Sequence, residues 1–474
     1  MHDLTFKLDE SSGIALYLQI YSYIRSEIAE GRIRPETKLP SVRILSSSLG
    51  VSRTPVALAY DQLLAEGYVR SKPRSGLYAV RVDALTPPPA ADGPAAGEKS
   101  PPRAYHASPD EPVRYDFGYG GIDLASFPFQ KWRKLMNRCF WPENRSLFLY
   151  GDLQGEPELR GEIASYLRQI RGVRCTPEQI VVGAGTYHSL DLLFQLLKEE
   201  VTVVGAERAV NVGIKALFSQ YGFQCRPLPL EPDGIRLEDV YESGAQAVYV
   251  TPSHQFPFGM TLSAGKRSRL LNWAEERQAY IIENDYDGEF RYGGRPIPSL
   301  QGLDNSGRVI YAGTFSKALT PSFRISYLVL PPALLARFRL MRHSYDQLAS
   351  PILQKTLQMF MQTGDFERHM RKMRSLYQRK RDTLLQAIRQ KLPDEIEIIG
   401  AGSGLHVLLR TYNGLNEEQL IARAKLNGVA VYPTSTYALE PDSAPPATVL
   451  LGFGGLSEEL IREGIDKLAE AWRL

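Results

Sequence analysis

The stretch V-I-Y-A-G-T-F-S-K-A-L-T-P-S-F-R at 309–324 decides the fold. Its first four residues are apolar and read as a short buried strand that ends at Ala312, just before Gly313. Lys317 therefore stands just past a strand terminus, among the hydroxyls of Thr314 and Ser316, with Arg324 seven positions later. Most lysines are solvated and carry no message. This one is singled out by the strand before it and the arginine after it.

Working outward, residues 180–182, 202–204, 247–250 and 280–283 form further short apolar runs, separated by segments with helical apolar spacing. Strands alternating with helices predict an α/β fold with a mostly parallel sheet. Ligands in such sheets bind at the carboxyl ends of the strands. One of those ends, G-A-G-T-Y-H at 183–188, opens a helix through Leu190, Leu193, Phe194 and Leu197, so backbone N–H groups point outward at its start. A glycine-rich turn alone is a weak signal, but here it has company. Gly185, Thr186 and Tyr187 join Thr314, Ser316 and Arg324 as a predicted phosphate cradle beside the Lys317 amine. A lysine amine held next to a carbonyl is suited to an imine with pyridoxal phosphate, which makes Lys317 the Schiff-base candidate.

A second unit precedes this one. Residues 83–112 contain eight prolines and almost no periodic apolar pattern, and read as an extended linker between a domain at 1–82 and one at 113–474. At about 3.1 Å per residue such a tether spans several tens of Å, enough for the first domain to dock on a partner subunit. Within 1–82, Leu16, Ile20, Ile24 and Ile28 recur at helical spacing up to Gly31. A short helix follows Ser41, and a third runs from after Ser52 to Glu66 with Val56, Tyr60, Leu63 and Leu64 on its stripe. Two short strands, at 68–69 and 77–80, flank a basic loop containing Lys72 and Arg74.

Charge supports the division. Residues 1–82 hold 11 Lys and Arg against 8 Asp and Glu, which leaves 45 of each sign in the remainder, so the whole formal excess of +3 lies in the first domain. A cationic face of this kind attracts a phosphate backbone. The start of the third helix would present Ser52, Arg53 and Thr54 to a major groove of double-stranded DNA, while Arg43, Lys72 and Arg74 contact phosphates. No apolar run reaches eighteen residues, the first residues lack a basic segment followed by an apolar core, and three widely spaced cysteines form no metal-ligand cluster. The expected location is cytoplasmic, with no membrane segment and no metal.

The motifs L-Y-L-Q-I-Y-S-Y-I-R, G-R-I-R-P-E-T-K-L-P-S-V-R, L-G-V-S-R-T-P-V and L-L-A-E-G-Y-V, spread over 14–80, resemble the GntR-type winged helix-turn-helix. In the second domain T-P-S-H-Q-F-P-F-G at 251–259, E-N-D-Y-D-G-E-F-R-Y at 283–292, G-T-F-S-K at 313–317 and R-I-S-Y at 324–327 resemble the fold type I aminotransferase-like domain of MocR-type regulators. The resemblance implies that Lys317 carries pyridoxal phosphate, that Tyr286 bonds the ring hydroxyl, and that His254 and residue 284 belong to the cofactor site. It also implies that Tyr150 reaches the phosphate of the partner subunit in a head-to-tail homodimer.

The chain departs from that pattern in three places. The ring-facing acid is replaced by Asn284, because strand alternation puts residue 284 on the same face as Tyr286 and turns Asp285 away, Asp285 taking its place only if the strand is bulged. The arginine of a late G-F-A-R-L-like strand is replaced by Gly455, and an aromatic before the next helix by Asn211. A neutral amide cannot hold a proton on the ring nitrogen by charge, and glycine cannot clamp a carboxylate. The reading is a DNA-binding transcription regulator that senses a small amine, an amino acid or dipeptide-like ligand, or the cofactor itself, with weak transamination at most. The rival readings are a working aminotransferase with an accessory DNA-binding module, and a cofactor-free dimerisation domain.

Overall fold

In the computed structural model the chain divides into two compact units, one within residues 1–107 and the other within 108–474. The structure describes residues 14–73, 75–81, 113–293, 297–341, 347–392, 396–440 and 447–473, with Phe6, Leu8 and Asp9 ahead of them. The expected linker at 83–112 and Arg74 lie outside the described residues.

In the first unit α1 (Leu16–Ala29) buries Ile20, Ile24 and Ile28, as its spacing requires. Helix α2 (Val42–Leu49) starts where the Ser41 hydroxyl accepts the Ile44 N–H at 3.3 Å, satisfying one of the unpaired donors of a helix start. Helix α3 (Arg53–Ala65) buries Val56, Ala59, Tyr60 and Leu63, and the Tyr60 hydroxyl donates to the Pro40 carbonyl at 2.8 Å. Leu64, expected on that stripe, is exposed: the buried row is narrow and Ala59 completes it instead. Strands β1 (Val69–Lys72) and β2 (Gly76–Ala79) pair antiparallel with Lys72 opposite Gly76. The basic loop expected at 71–76 is therefore shorter, since Ser71, Lys72 and Gly76 belong to the ladder.

The second unit opens with β3 (Tyr115–Asp116), α4 (Phe129–Arg138) and α5 (Pro157–Arg171). Then come β4 (Ile180–Gly183), α6 (Thr186–Leu197), β5 (Val203–Glu207), α7 (Val212–Gln220) and β6 (Gln224–Leu228). A small hairpin of β7 (Leu230–Glu231) and β8 (Gly234–Ile235) leads through α8 (Leu237–Glu242) to β9 (Ala247–Val250), α9 (Ala264–Glu276), β10 (Tyr280–Asp285), β11 (Val309–Thr314) and β12 (Ser326–Val329). These build a seven-stranded sheet in the order β4-β12-β11-β10-β9-β5-β6. Six strands share one direction and only β12 runs against its neighbours, so the sheet is mixed.

Alternation along the strands divides two apolar layers. Ile282, Ile310 and Leu328 face α6 and α7 through Leu193, Phe194 and Phe218, while Ile281, Val309 and Val248 pack on Leu270 and Trp273 of α9. Each fully buried ring such as Phe194 or Phe218 contributes about 1.5–3 kcal/mol. After α10 (Pro332–Met341), α11 (Pro351–Gln362) and the long α12 (Asp365–Lys391), the strands β13 (Ile396–Ile399) and β14 (His406–Thr411) start a second sheet. Helix α13 (Glu417–Leu426), β15 (Val429–Ala430), β16 (Tyr432–Pro433), β17 (Thr448–Gly452) and α14 (Glu458–Trp472) complete the chain. The second sheet has the order β13-β14-β17-β16, and α12 and α14 share its apolar core. None of the described helices is long and apolar enough to cross a membrane.

Candidate functional site

A cavity of about 230 Å³ lies where the carboxyl ends of β5, β9, β10 and β11 meet the start of α6. The alternation of β10 decides which of its side chains enter. Asn284 lines the cavity together with Tyr286. On the opposite side the buried Glu283 accepts the Leu300 and Gln301 N–H groups at 2.9 Å each, and Asp285 accepts from Arg171 Nε at 2.6 Å and from the Tyr311 hydroxyl at 2.5 Å. The carboxylate beside Asn284 is thus turned away and already engaged.

Lys317 enters from the loop after β11. Its amine donates to the Tyr119 carbonyl and lies 4.1 Å from the Tyr119 ring centroid. Burial pushes this amine down from an ordinary 10.5 to about 8, against the opposing pull of the Asp287 charge. Arg324, in the left-handed region with φ 52, sets its guanidinium at the start of α6. Gly185 makes the approach possible: it caps α6 with φ 101 and ψ 161, and a Cβ there would fall inside that guanidinium. The Thr314 and Ser316 hydroxyls lie 2.9 Å apart on the cavity wall. Behind them the Gly185 N–H donates to Ser326 Oγ at 2.9 Å.

Of the residues predicted for the cofactor, Thr186, Tyr187, Asn284, Tyr286, Thr314, Ser316, Lys317 and Arg324 line this one cavity. The Tyr187 hydroxyl donates to Asn211 Oδ1, which also caps α7 by accepting the Gly213 N–H at 3.0 Å. Asn284 Nδ2 donates to the Tyr249 hydroxyl at 2.6 Å, while its Oδ1 is buried with no partner. An amine, a guanidinium at a helix start, and a neutral amide on one cavity wall fit the aldehyde, phosphate and ring of pyridoxal phosphate.

Gly185 lies just behind the wall against the Arg324 guanidinium, and two further predicted residues stand elsewhere. His254 lies beneath the wall: the Tyr286 hydroxyl donates to the His254 carbonyl at 3.1 Å and sits 3.0 Å from His254 Nδ1, which is 2.9 and 3.0 Å from the Asp287 oxygens. Tyr150 is 87% exposed and off the cavity wall. Sequence reasoning missed Tyr119, Glu207 and Asp287. Glu207, pushed up to about 7 by burial, accepts from Thr251 Oγ1 at 2.6 Å. His406 joins His254 and Asp287 so that three potential cation ligands fall within 4.8 Å, a grouping their distant sequence positions do not announce.

In the first unit Arg43 and Arg53 border one shallow surface depression with Ser47 and Ser48, and Ser52 and Thr54 are exposed beside them. Lys72 is engaged: it and Arg70 pair with Glu36 at 2.8 and 2.5 Å, and these bonds, Arg70 first, hold the Glu36 carboxyl down at about 2. That staple was not foreseen, because Glu36 precedes its partners by more than thirty residues.

The pattern of the family described as "Aminotransferase class I and II" matches residues 116–468, and that of "Bacterial regulatory proteins, gntR family" matches residues 16–78. The chain is 42% identical over 475 residues to the HTH-type transcriptional regulator YdeL of Bacillus subtilis (strain 168), covering 100% of both chains. It is 36% identical to the probable rhizopine catabolism regulatory protein MocR of Rhizobium meliloti, over 98% of this chain and 95% of that one. Among solved structures, kynurenine aminotransferase of Pyrococcus horikoshii superposes with a TM-score of 0.70 at 26% identity, over 76% of this chain and 91% of that one.

Proposed function

The chain belongs to the MocR-type regulators, which join a GntR-family winged helix to an aminotransferase class I and II domain, and on that premise we propose that it binds promoter DNA and senses a small ligand at Lys317. It is a transcription regulator with an aminotransferase-like domain. In our reading the first domain spans 1–82 and the effector domain 113–474, the protein works in the cytoplasm, and the ligand is a small amine, an amino acid or dipeptide-like molecule, or pyridoxal phosphate itself.

The observation that carries this reading is the convergence of Lys317, the Arg324 guanidinium at the start of α6, and the unpaired Asn284 oxygen on one cavity. When bound, pyridoxal phosphate supplies a carbonyl with which a primary amine condenses. Arg324 and the α6 N–H groups would bind its phosphate, Tyr286 would hydrogen-bond the ring hydroxyl, and Lys317, its amine partly neutral near pH 8, would hold the carbonyl. Asn284 would present a neutral amide to the ring nitrogen and supply no negative charge to keep a proton there, so in this reading the site exchanges amines and transaminates weakly at most. Ligand binding then biases the arrangement of the protein on DNA.

DNA is read by Ser52, Arg53 and Thr54 at the start of α3, with Arg43, Lys72 and Arg74 on phosphates. A second copy completes the molecule as a head-to-tail homodimer. Phe129, Phe140, Trp141, Phe148, Leu149 and Tyr150 are each more than half exposed, a concentration of apolar surface that marks an interface. The test is a band-shift titration of the purified full-length protein on its own promoter region, with and without pyridoxal phosphate and candidate amines. Retardation that changes with ligand is expected; no retardation at any salt or ligand condition overturns the reading. Sustained keto acid formation across a panel of amino acids would instead establish the aminotransferase.

A further inference from the structure

The walls of the Lys317 cavity carry information about the ligand that the cofactor does not use. Among the described residues lining it, the cationic side chains are Lys317 and Arg324. In the reading above one holds the carbonyl of pyridoxal phosphate and the other its phosphate. The remaining wall is aromatic, aliphatic or neutral polar, apart from the buried carboxyl of Glu207.

The end of β17, where a side chain could have entered, is closed by backbone. The residues 118–121 lie flat against 452–455: the Gly452 N–H donates to the Phe117 carbonyl at 2.7 Å. A Cβ on Gly454 would stand 2.5 Å from the Gly121 carbonyl oxygen, and one on Gly121 3.0 Å from the Gly455 nitrogen. The buried Lys380 behind this seam is consumed by Asp123 Oδ2 at 2.6 Å and the Gly454 carbonyl at 2.9 Å. From the same loop Tyr119 projects into the cavity, 5.3 Å from the Phe256 ring, with Val210 and Ile214 also on the wall.

We infer that the ligand read at Lys317 is a primary amine without a carboxylate, and that Tyr119 is the surface on which its carbon skeleton packs. The inference rests on the proposal that the cavity holds pyridoxal phosphate. Among the described residues that line this cavity a carboxylate finds no free cation and faces the Tyr119 carbonyl and Glu207, and burying an anion without a partner is strongly disfavoured. The amine that lacks it loses nothing and keeps the aromatic contact.

The experiment uses full-length protein loaded with pyridoxal phosphate and matched pairs that differ by one carboxylate: phenethylamine and phenylalanine, tyramine and tyrosine, putrescine and ornithine. Visible absorption of the bound cofactor and the thermal midpoint are both followed across each titration. Half-saturation is expected at a concentration about tenfold lower, or less, for the amine of each pair, given the cost of an unpaired buried charge. Equal or tighter binding of the carboxylate-bearing member overturns the ligand class and leaves the sensor reading standing; no response to any member of any pair overturns both. In Tyr119→Ala, phenethylamine should weaken at least about threefold more than methylamine does, the difference being the lost aromatic packing. Equal weakening of the two overturns the role given to Tyr119.

Discussion

Replacing Gly185 with alanine tests the anion site through a single methyl group. Gly185 occupies φ 101 and ψ 161, a region essentially reserved for glycine, and forcing alanine into it costs about 1–3 kcal/mol of stability. The added Cβ falls inside the Arg324 guanidinium, which sits at the end of a flexible side chain and swings away at little further cost. What is lost with it is a charge-assisted contact to the phosphate, worth about 1.5–3 kcal/mol, or roughly ten- to a hundredfold in Kd for pyridoxal phosphate. Equilibrium titration of the cofactor-free Gly185→Ala protein, followed by absorbance, measures the affinity, and chemical denaturation measures the strain. Arg324→Ala should weaken affinity comparably without the strain. The double variant should then bind no worse than the weaker single one, because the methyl has nothing left to displace. Wild-type affinity in Gly185→Ala, or strictly additive losses in the double variant, would refute the assignment of Gly185 and Arg324 to one phosphate site.

Three other outcomes follow from the same geometry. Because the Lys317 amine is held at about 8 against an ordinary 10.5, the unfolded chain binds more protons between those values and stability rises with pH across that window; below it the cofactor-free fold is penalised by about 3 kcal/mol. Lys317→Met should therefore be the more stable cofactor-free protein at pH 7 in urea melts, with the gap closing toward pH 10.5. Asn284→Asp should raise the rate of the first transamination half-reaction at least about tenfold, by giving the ring nitrogen a counter-charge, and should cost about 1–3 kcal/mol of stability in the empty site; stopped-flow absorbance and denaturation report the two effects. Arg53→Ala and Arg43→Ala should each weaken operator binding, and in Arg43→Ala, which removes a phosphate contact, the slope of log affinity against log salt should fall by about one, as measured by fluorescence anisotropy at several salt concentrations.

How far the chain could be read in advance follows from where its information lies. Thr314, Ser316 and Lys317 were legible because they sit within a few residues of a strand end, and Asn284 with Tyr286 because a strand alternates every second residue. Helix α2 and its Ser41 cap were equally local. Leu64 was misplaced because a helical stripe read from spacing does not tell how wide its buried part is, and the small Ala59 gives no hydrophobic signal of its own. The antiparallel direction of β12 has no signature at all, since an apolar run reads the same both ways. Tyr119 and Lys317 meet across 198 residues, and His254 and Asp287 across 33, so only tertiary folding brings these pairs together.

The antiparallel strand has a consequence for how the molecule is assembled. Strand β12 is wedged between β4 and β11, and in the sheet it joins the turn that carries Gly185 to the loop that carries Ser316 and Arg324. Ser326 at its start accepts from the Gly185 N–H at 2.9 Å and lies 2.8 Å from Ser189 Oγ, so the first rung of the strand is also the floor of the anion site. A chain in which β12 has not yet been inserted owns both halves of the cradle and no cradle. A phosphate-bearing molecule held there would bind only the finished sheet and, by mass action, would add to the stability of that sheet alone.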